Sequence, residues 1–272
     1  MTDESAFEVG RNVAVRPGSV VFENDLIQLI QYRPATSQVR EAPLLIVPPC
    51  INKYYILDLQ PGNSFVRHAV GQGLTVFMVS WRDIPPELGA LTWDDYLERG
   101  VLRAIDEACA ASAAQRLSTL GFCVGGTLLS CALAVLRARG DQRVASVTLL
   151  ATMLDFSDTG EISVYVDEDY VSGAEQTYRE GGIMPGRRLA ATVSSLRANE
   201  LVWHFVVNNY LKGRTPEAFD LLFWNADSAN LPGRMYAYYL RNMYLANRLR
   251  EPHALTMCGT PVDLGRIDMP AY

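Results

Sequence analysis

A cysteine set among glycines, Cys123, has the surroundings that covalent chemistry at a thiol requires. It lies in the sequence GFCVGG, which begins at Gly121 and has the spacing of a nucleophile elbow, G-x-S-x-G, with cysteine in place of serine. A strand turns sharply into a helix there, and the glycines, including Gly125 and Gly126, let neighbouring backbone approach. We predict a nucleophilic thiol at a helix N-terminus, where the helix dipole lowers its pKa and the N–H of Val124 faces a developing oxyanion.

The remaining cysteines carry no pattern of a redox or metal site. The chain has five cysteines, an odd number, and none of them forms a C-x-x-C pair. This arrangement argues against a disulfide framework and against zinc, so we expect no metal site. Cys50, Cys109, Cys131 and Cys258 are interpreted as unreactive, with Cys109 and Cys131 as small core residues on helices.

The elements that must position Cys123 alternate between strands and helices up to about residue 153. Apolar runs predict a hairpin at 20–22 and 26–32 and buried strands at 43–49, 74–81, 117–122 and 144–152. Three helices are predicted. The first covers 64–72, the second begins at a capping box formed by Thr92 and Asp95, and the third covers 125–139 and ends at Gly140. The capped helix has one apolar face, formed by Trp93, Leu97, Val101, Ile105 and Cys109. This order predicts an α/β fold with a mostly parallel sheet and helices on both faces.

After about residue 153 the alternation stops and aromatic residues become frequent. Ten of the residues 201–250 are aromatic, against 10% of the whole chain, and the sequence there is mostly helical in pattern. We interpret 1–153 as the first part of an α/β core, 154–258 as a cap over the sheet, and 259–272 as a return to the core. Ordinary helices packed on the core are the alternative.

The composition excludes several classes of protein. The chain has 272 residues, of which 49% are hydrophobic and 20% charged, as in a globular protein rather than a disordered or collagen-like one. Its net charge of −6 gives no basic footprint for nucleic acid. No apolar run reaches the roughly 18 residues of a bilayer span, so we predict no transmembrane segment. The acidic, polar start is not a targeting peptide, which predicts a cytoplasmic protein.

Several segments resemble polyhydroxyalkanoate synthases, especially the class I, short-chain (poly-3-hydroxybutyrate) type. They are GFCVGGT, VPPCINKYYILDLQP, VSWRD, TWDDY, FDLLFWNADSANLPG and GTPVDLGRID, and the likeness covers essentially the whole chain. The resemblance implies an α/β-hydrolase-type core with a cap. It implies an acyltransferase that polymerises (R)-3-hydroxyacyl-CoA, such as 3-hydroxybutyryl-CoA, into polyester with release of CoA. It also implies a homodimer on the surface of polyhydroxyalkanoate granules, without a cofactor.

The resemblance also implies roles for individual residues. Cys123 is then the nucleophile, which holds the growing chain as a thioester of nearly the same free energy as the CoA thioester. By analogy with a loop of α/β hydrolases, the N–H of Ile51 is expected to be the second oxyanion donor beside Val124. Trp224 resembles a residue that the family associates with dimerisation or with the mouth of the site, but it fits simple packing of the cap equally well.

The acid and base that would complete a triad with Cys123 are not found in this sequence. The chain order of such a fold is nucleophile, acid, histidine, whereas His68 precedes Cys123, His204 lies in the cap sequence and His253 in a connector. In the family the acidic partner lies just beyond a strand that would begin near residues 267–270. We therefore expect a partial chain, the middle portion of a synthase that lacks both ends.

Three alternatives stay open. A cysteine-dependent hydrolase on the same fold would release free 3-hydroxy acid instead of polymer. A catalytically incompetent fragment would dimerise with a full-length synthase or act as its scaffold, and the missing acid and base favour this interpretation. His253 as a replacement base is a further alternative, although nothing in the sequence places it opposite Cys123.

Overall fold

The computed structural model describes residues 3–196, 198–215 and 218–272, and its centre is a six-stranded sheet. The strands are β1 (Gly18–Glu23), β2 (Ile27–Tyr32), β3 (Leu44–Val47), β4 (Val76–Trp81), β5 (Leu117–Phe122) and β6 (Val144–Leu150), in the spatial order β1-β2-β4-β3-β5-β6. The strands β3 to β6 are parallel, whereas β1 and β2 form antiparallel pairs. The predicted α/β fold with a mostly parallel sheet is confirmed.

The turn between β1 and β2 is fixed by the side chain of Asn24. Its carboxamide oxygen accepts hydrogen bonds from the backbone N–H groups of Leu26 and Ile27, both at 2.8 Å. Its amide group donates to the carbonyl of Arg99 at 2.8 Å. Asparagine suits a turn because its side chain can replace backbone hydrogen-bonding partners. The predicted hairpin is confirmed, and its turn is anchored to a neighbouring helix.

The helices before residue 153 also follow the prediction. They are α1 (Phe65–Gly71), α2 (Trp93–Asp95), α3 (Arg103–Ser112) and α4 (Val124–Ala138), and a π-helical stretch, Tyr96–Leu102, joins α2 to α3 without a break. Thr92 and Asp95 form the predicted capping box. The predicted apolar face, from Trp93 to Cys109, is buried throughout. Residues spaced by four rotate gradually around a regular α-helix, which has 3.6 residues per turn. The π-helical stretch has more residues per turn, so it keeps these residues on one face.

Helices cover both faces of the sheet because its central strands are apolar on both sides. In β3, Leu45 and Val47 belong to the core that includes α3 and α4. Leu44 and Ile46 belong to a second cluster on the opposite face, which includes α1. All four residues are buried, as expected for a parallel strand between two helical layers.

The segment 154–258 contributes helices and short strands at the carboxyl end of the sheet. Its elements are α5 (Glu168–Thr177), α6 (Gly186–Leu196), α7 (Asp220–Ala226) and α8 (Gly233–Tyr239), the antiparallel pair β7 (Ile183–Met184) and β8 (Leu231–Pro232), and π-helical stretches at Asn199–Trp203, Val206–Leu211 and Leu240–Leu245. Val171 of α5 and Met235 of α8 belong to the same core as the sheet. The boundaries proposed at residues 153 and 258 stay a prediction.

The final residues add to the parallel side of the sheet. A small hairpin, β9 (Thr256–Met257) and β10 (Thr260–Pro261), precedes them. The Val147 N–H of β6 donates to the carbonyl of Pro270, and the Tyr272 N–H donates to the carbonyl of Val147, both at 3.0 Å. Ala271 therefore pairs in parallel with β6. Short 3₁₀ turns lie at Glu4–Ala6, Tyr54–Leu57, Pro86–Leu88, Gly160–Tyr165, Arg248–Arg250 and Leu264–Arg266.

Candidate active site

Cys123 lies at the sharp turn between β5 and α4, as the elbow pattern predicts. Its backbone has φ 54° and ψ −131°, a conformation that non-glycine residues rarely adopt. The Cys123 N–H donates to the carbonyl of Leu150 in β6 at 2.9 Å, and the Cys123 carbonyl accepts from the N–H of Gly126, also at 2.9 Å. The turn is strained but held on both sides, which fixes the direction of the thiol.

The three glycines of the elbow are needed because neighbouring groups approach them closely. A Cβ at Gly121 would overlap the backbone of Gly126, and a Cβ at Gly126 would overlap the side chain of Thr152. A Cβ at Gly125 would overlap the carbonyl of Pro48, just after β3. The contacts at Gly121 and Gly125 are the close backbone approach that the sequence pattern predicts, whereas Gly126 makes room for a side chain. They bind the elbow to the strands on either side of β5.

Two backbone segments flank the thiol of Cys123. The N–H of Val124, the first residue of α4, donates to the Cys123 sulfur. Ile51 follows β3 and lines the same cavity as Cys123. The Ile51 carbonyl accepts from the N–H of Ala229 at 2.9 Å, which ties this loop to the segment before β8. The assignment of the Val124 and Ile51 N–H groups as oxyanion donors stays a prediction.

A mostly apolar cavity of about 120 Å³ opens beside Cys123. Besides Cys123, Val124 and Ile51, its lining consists of Ile162, Tyr165, Val166, Tyr170, Leu189, Thr192, Leu231, Tyr236, Tyr239, Leu240 and Tyr244. No histidine or carboxylate is present among these described lining residues. Burial raises the pKa of Tyr239 and Tyr244, so their hydroxyls stay neutral at physiological pH. The cavity is thus an uncharged space that suits an acyl chain.

The pKa of the Cys123 thiol differs from the sequence-based expectation. Burial raises the pKa of the Cys123 thiol above its ordinary value, and the hydrogen bond from the Val124 N–H offsets only part of this increase. The prediction that the helix N-terminus lowers the thiol pKa is therefore wrong for this structure. The physical reason is desolvation, because the apolar segment over the elbow disfavours a thiolate more than the first amide of α4 favours it.

We expect alkylation of Cys123 by iodoacetamide to be slow at neutral pH and to accelerate as the pH rises above about 9. The thiolate is the reactive form, and its fraction grows only as the pH approaches the raised pKa of the thiol. The measurement is the rate of labelling at Cys123, followed by peptide mass spectrometry from about pH 7 to about pH 10, with glutathione as the reference thiol. A labelling midpoint below that of glutathione would instead support a dominant helix-dipole effect.

The histidines lie away from the cavity of Cys123. His68 is on α1, which packs on the opposite face of the sheet. His204 is exposed and contacts the carboxamide of Asn208. His253 is exposed too, with its Nε2 atom 3.9 Å from the Asp263 carboxylate. The structure gives no support to His253 as a replacement base, and the acid and base of a triad stay unassigned.

Trp224 lies in a separate cluster and does not line the cavity. Its side chain is 9% exposed and packs with Tyr55 and Leu59. Its indole Nε1–H donates to the carbonyl of Lys53 at 2.8 Å. Of the two alternatives that the sequence left open, packing describes its place in this structure. A role in dimerisation stays a prediction.

The other cysteines are poor nucleophiles by their surroundings. Cys50, Cys109 and Cys131 are buried, and Cys258 is half-buried. Burial raises the pKa of all four thiols, to about 12 for Cys50, Cys131 and Cys258. Across the described ranges, no group of three or more histidine, cysteine or acidic side chains is arranged to hold a metal ion.

The elbow, the parallel sheet and the helices over its carboxyl end together define a known class of protein. The family model for the alpha/beta hydrolase fold matches residues 43–262. The structure of a putative lipase from Sulfolobus solfataricus aligns with a TM-score of 0.50 and 12% sequence identity, covering 80% of this chain and 77% of that one. The chain belongs to the α/β-hydrolase fold family.

Comparison of sequences identifies a narrower group of related proteins than the fold does. Residues 1–69 match the family model for the N-terminus of poly-beta-hydroxybutyrate polymerase (PhaC). The poly(3-hydroxyalkanoate) polymerase subunit PhaC of Cupriavidus necator is 59% identical and that of Rhizobium meliloti 42% identical, each over 100% of this chain. The chain covers 47% and 44% of these relatives, about half their length. The resemblance to polyhydroxyalkanoate synthases is confirmed as homology.

The tyrosines of the cavity are the site residues that sequence reasoning does not identify. Tyr165 and Tyr170 lie in a segment without clear apolar periodicity, and nothing local indicates that they approach Cys123. Tyr236, Tyr239 and Tyr244 have the spacing of one helix face, which is a usable signal. That spacing predicts that the three tyrosines share a helix face, but not what the face packs against. Their approach to Cys123 depends on the tertiary fold.

Among the described residues, no helix has both the length and the apolar character that crossing a bilayer requires.

Proposed function

We propose that this chain provides the acyl-accepting site of a poly(3-hydroxyalkanoate) polymerase, with Cys123 as the nucleophile. The observation that carries the proposal is the strained cysteine at the elbow, facing an apolar cavity, in a chain homologous to such polymerases over its whole length. The substrate class is then (R)-3-hydroxyacyl-CoA, with short acyl groups such as 3-hydroxybutyryl favoured by the small cavity.

The proposed step exchanges one thioester for another. The Cys123 thiolate attacks the carbonyl carbon of the acyl-CoA, and the oxygen becomes an oxyanion near the N–H groups of Val124 and Ile51. The carbon–sulfur bond to CoA then breaks, and CoA leaves as a thiolate that takes up a proton. Because the new bond is also a thioester, the acyl group keeps its activation for attack by the 3-hydroxyl group of another unit. A serine at this position would form a less activated oxygen ester.

Exclusion of water is the second requirement, because an acyl-enzyme exposed to water would be hydrolysed. Helices of the segment 154–258 supply most of the apolar lining beside Cys123. We assign this segment as a cap that protects the thioester. A hydrolase on the same fold would need a water molecule positioned beside the thioester, which the mostly apolar lining disfavours.

A second candidate function follows from the same lining. Without a base beside Cys123, the chain would act as a non-catalytic partner that dimerises with a complete synthase or attaches to granules. Exposed apolar side chains in the segment 154–258 favour a contact of this kind, since Trp203, Tyr210 and Leu211 are 58%, 83% and 67% exposed. We therefore also propose dimerisation and attachment to granules in the cytoplasm, supported by the same exposed side chains.

The discriminating experiment measures CoA release from (R)-3-hydroxybutyryl-CoA by the purified chain. We expect at most one CoA per chain, because the raised pKa of Cys123 and the absence of a base from the described lining limit the reaction to a slow single acylation. Continuous release with oligomer as product would require a base near Cys123. Continuous release of CoA with free 3-hydroxybutyrate as the product would support a hydrolase instead. If no acyl adduct forms on Cys123, the role of a non-catalytic partner is the better proposal.

A further inference from the structure

Two cavities meet at one pair of tyrosines. The inner cavity, of about 120 Å³, contains Cys123. A second, outer cavity, of about 250 Å³, has Asp169, Tyr170, Ala174, Met184, Arg188 and Tyr236 among its lining residues. Tyr170 and Tyr236 line both cavities and therefore form the wall between them.

The wall is held closed by contacts across α5 and α8. The hydroxyl oxygens of Tyr170 and Tyr236 are 2.9 Å apart, so one hydroxyl donates to the other. Tyr236 is 7% exposed, and its ring packs edge-on against Tyr178. Arg241, in the helical continuation of α8, forms ion pairs at 2.7 Å with Glu168 and Glu175 of α5. These contacts join the two elements that carry the tyrosines, and they place Tyr170, which is 37% exposed, beside the buried Tyr236.

We propose that the Tyr170–Tyr236 pair limits the length of the acyl chain that can be attached to Cys123. A short chain fits within the inner cavity, whereas the end of a longer alkyl chain would have to occupy the position of the tyrosine rings. Behind them, Ala174 and Met184 offer apolar surface for such a chain. The lining of the outer cavity also includes two charged residues, Asp169 and Arg188, and both are exposed.

The identity of the acyl chain rests on the proposed function, but the wall itself can be tested without turnover. Alkyl methanethiosulfonates transfer an S-alkyl group to a thiolate. The Cys123 sulfur attacks the divalent sulfur of the reagent, the bond to the sulfonyl group breaks, methanesulfinate leaves, and a mixed disulfide forms. The ratio of the rates with octyl and methyl reagents reports the length that the cavity accepts, because the pKa of the thiol affects both rates equally.

Replacing Tyr170 by alanine is expected to raise the octyl-to-methyl ratio at Cys123 by about tenfold or more, since removal of a blocking ring is worth several methylenes of selectivity. Tyr170→Phe keeps the ring and is expected to stay within about threefold of the original ratio, because it loses one hydrogen bond only. Intact mass and peptide mapping give the labelled site, and Cys123→Ala gives the background from the other thiols.

The matched control is Tyr165→Ala, which removes a tyrosine that lines the inner cavity but not the outer one. An unchanged ratio in Tyr170→Ala, or an equal rise in Tyr165→Ala, would overturn the proposal. If Tyr170→Ala does not fold, Tyr170→Leu serves in its place, with an expected rise of about threefold or more. A failure of CoA release with a normal rise in the ratio would reject the proposed function and leave the role of the wall intact.

Discussion

Cys123→Ala is expected to abolish the covalent acyl adduct that we propose to form with (R)-3-hydroxybutyryl-CoA, and Cys123→Ser to slow its formation on the order of 10³-fold or more. The alanine variant has no nucleophile. The serine variant has one, but a hydroxyl loses its proton far less readily than a thiol, and the described cavity lining holds no histidine or carboxylate to accept it. The two variants thus separate the need for a nucleophile from the need for a base.

The measurement is the intact mass of the chain after incubation with the substrate, followed by treatment with neutral hydroxylamine. Hydroxylamine cleaves a thioester readily and an oxygen ester slowly, so loss of the adduct identifies the bond. Cys258→Ala is the matched control, because Cys258 is also half-buried and also has a positive φ, of 51°. We expect this variant to keep the adduct. An adduct that persists in Cys123→Ala would place the acylated residue elsewhere.

Gly125→Ala is expected to lower the free energy of unfolding by about 3 kcal/mol or more, the upper range for an added group in a tightly packed position. The added Cβ would overlap the carbonyls of Val47 and Pro48. Neither carbonyl can move freely, because Val47 belongs to the buried β3, which pairs with both β4 and β5, and the Pro48 carbonyl accepts from the indole N–H of Trp81 at 2.9 Å. The strain must therefore spread into the centre of the sheet and the elbow.

Gly173→Ala is the control for this experiment, since Gly173 lies within α5 and a Cβ there would meet nothing within 4 Å. It is expected to raise the free energy of unfolding by roughly 0.5–1 kcal/mol, because alanine favours the helix over the unfolded chain. Urea unfolding of both variants gives the two values directly. A loss below about 1 kcal/mol in Gly125→Ala would mean that the elbow tolerates a wider contact than the structure indicates.

The parts of this fold that were predictable from the sequence are those set by local patterns. Alternating apolar runs predict the strands, Thr92 with Asp95 predicts the start of a long helix, and GFCVGG predicts the turn at Cys123. Each of these patterns acts within a few residues, so its physical basis can be seen in the sequence alone. The homology to polyhydroxyalkanoate synthases was predictable for the same reason, because it rests on contiguous segments.

The surroundings of the candidate site were not predictable in the same way. Tyr170 and Tyr244 reach the cavity of Cys123 from positions that are distant in sequence, and no local pattern encodes that approach. For the same reason, the sequence alone predicts the wrong direction for the shift in the Cys123 pKa. An argument from the helix N-terminus uses only the elbow, whereas the desolvation that raises the pKa comes from side chains that the fold brings over it.

The close contacts of the elbow at Cys123 are made with β3, β5 and β6 and the residues that directly follow them. Most of the cavity lining, in contrast, comes from residues 162–244. The backbone geometry at Cys123 and the walls of the cavity thus come from different parts of the sequence, although the walls also set the pKa of the thiol by desolvation. Under the proposed function, substitutions in the helices of this segment would change which acyl group fits beside Cys123 and leave the backbone of the elbow unchanged. A library confined to the lining positions of 162–244 would therefore vary the shape of the cavity and the pKa of the Cys123 thiol together, on a constant elbow backbone.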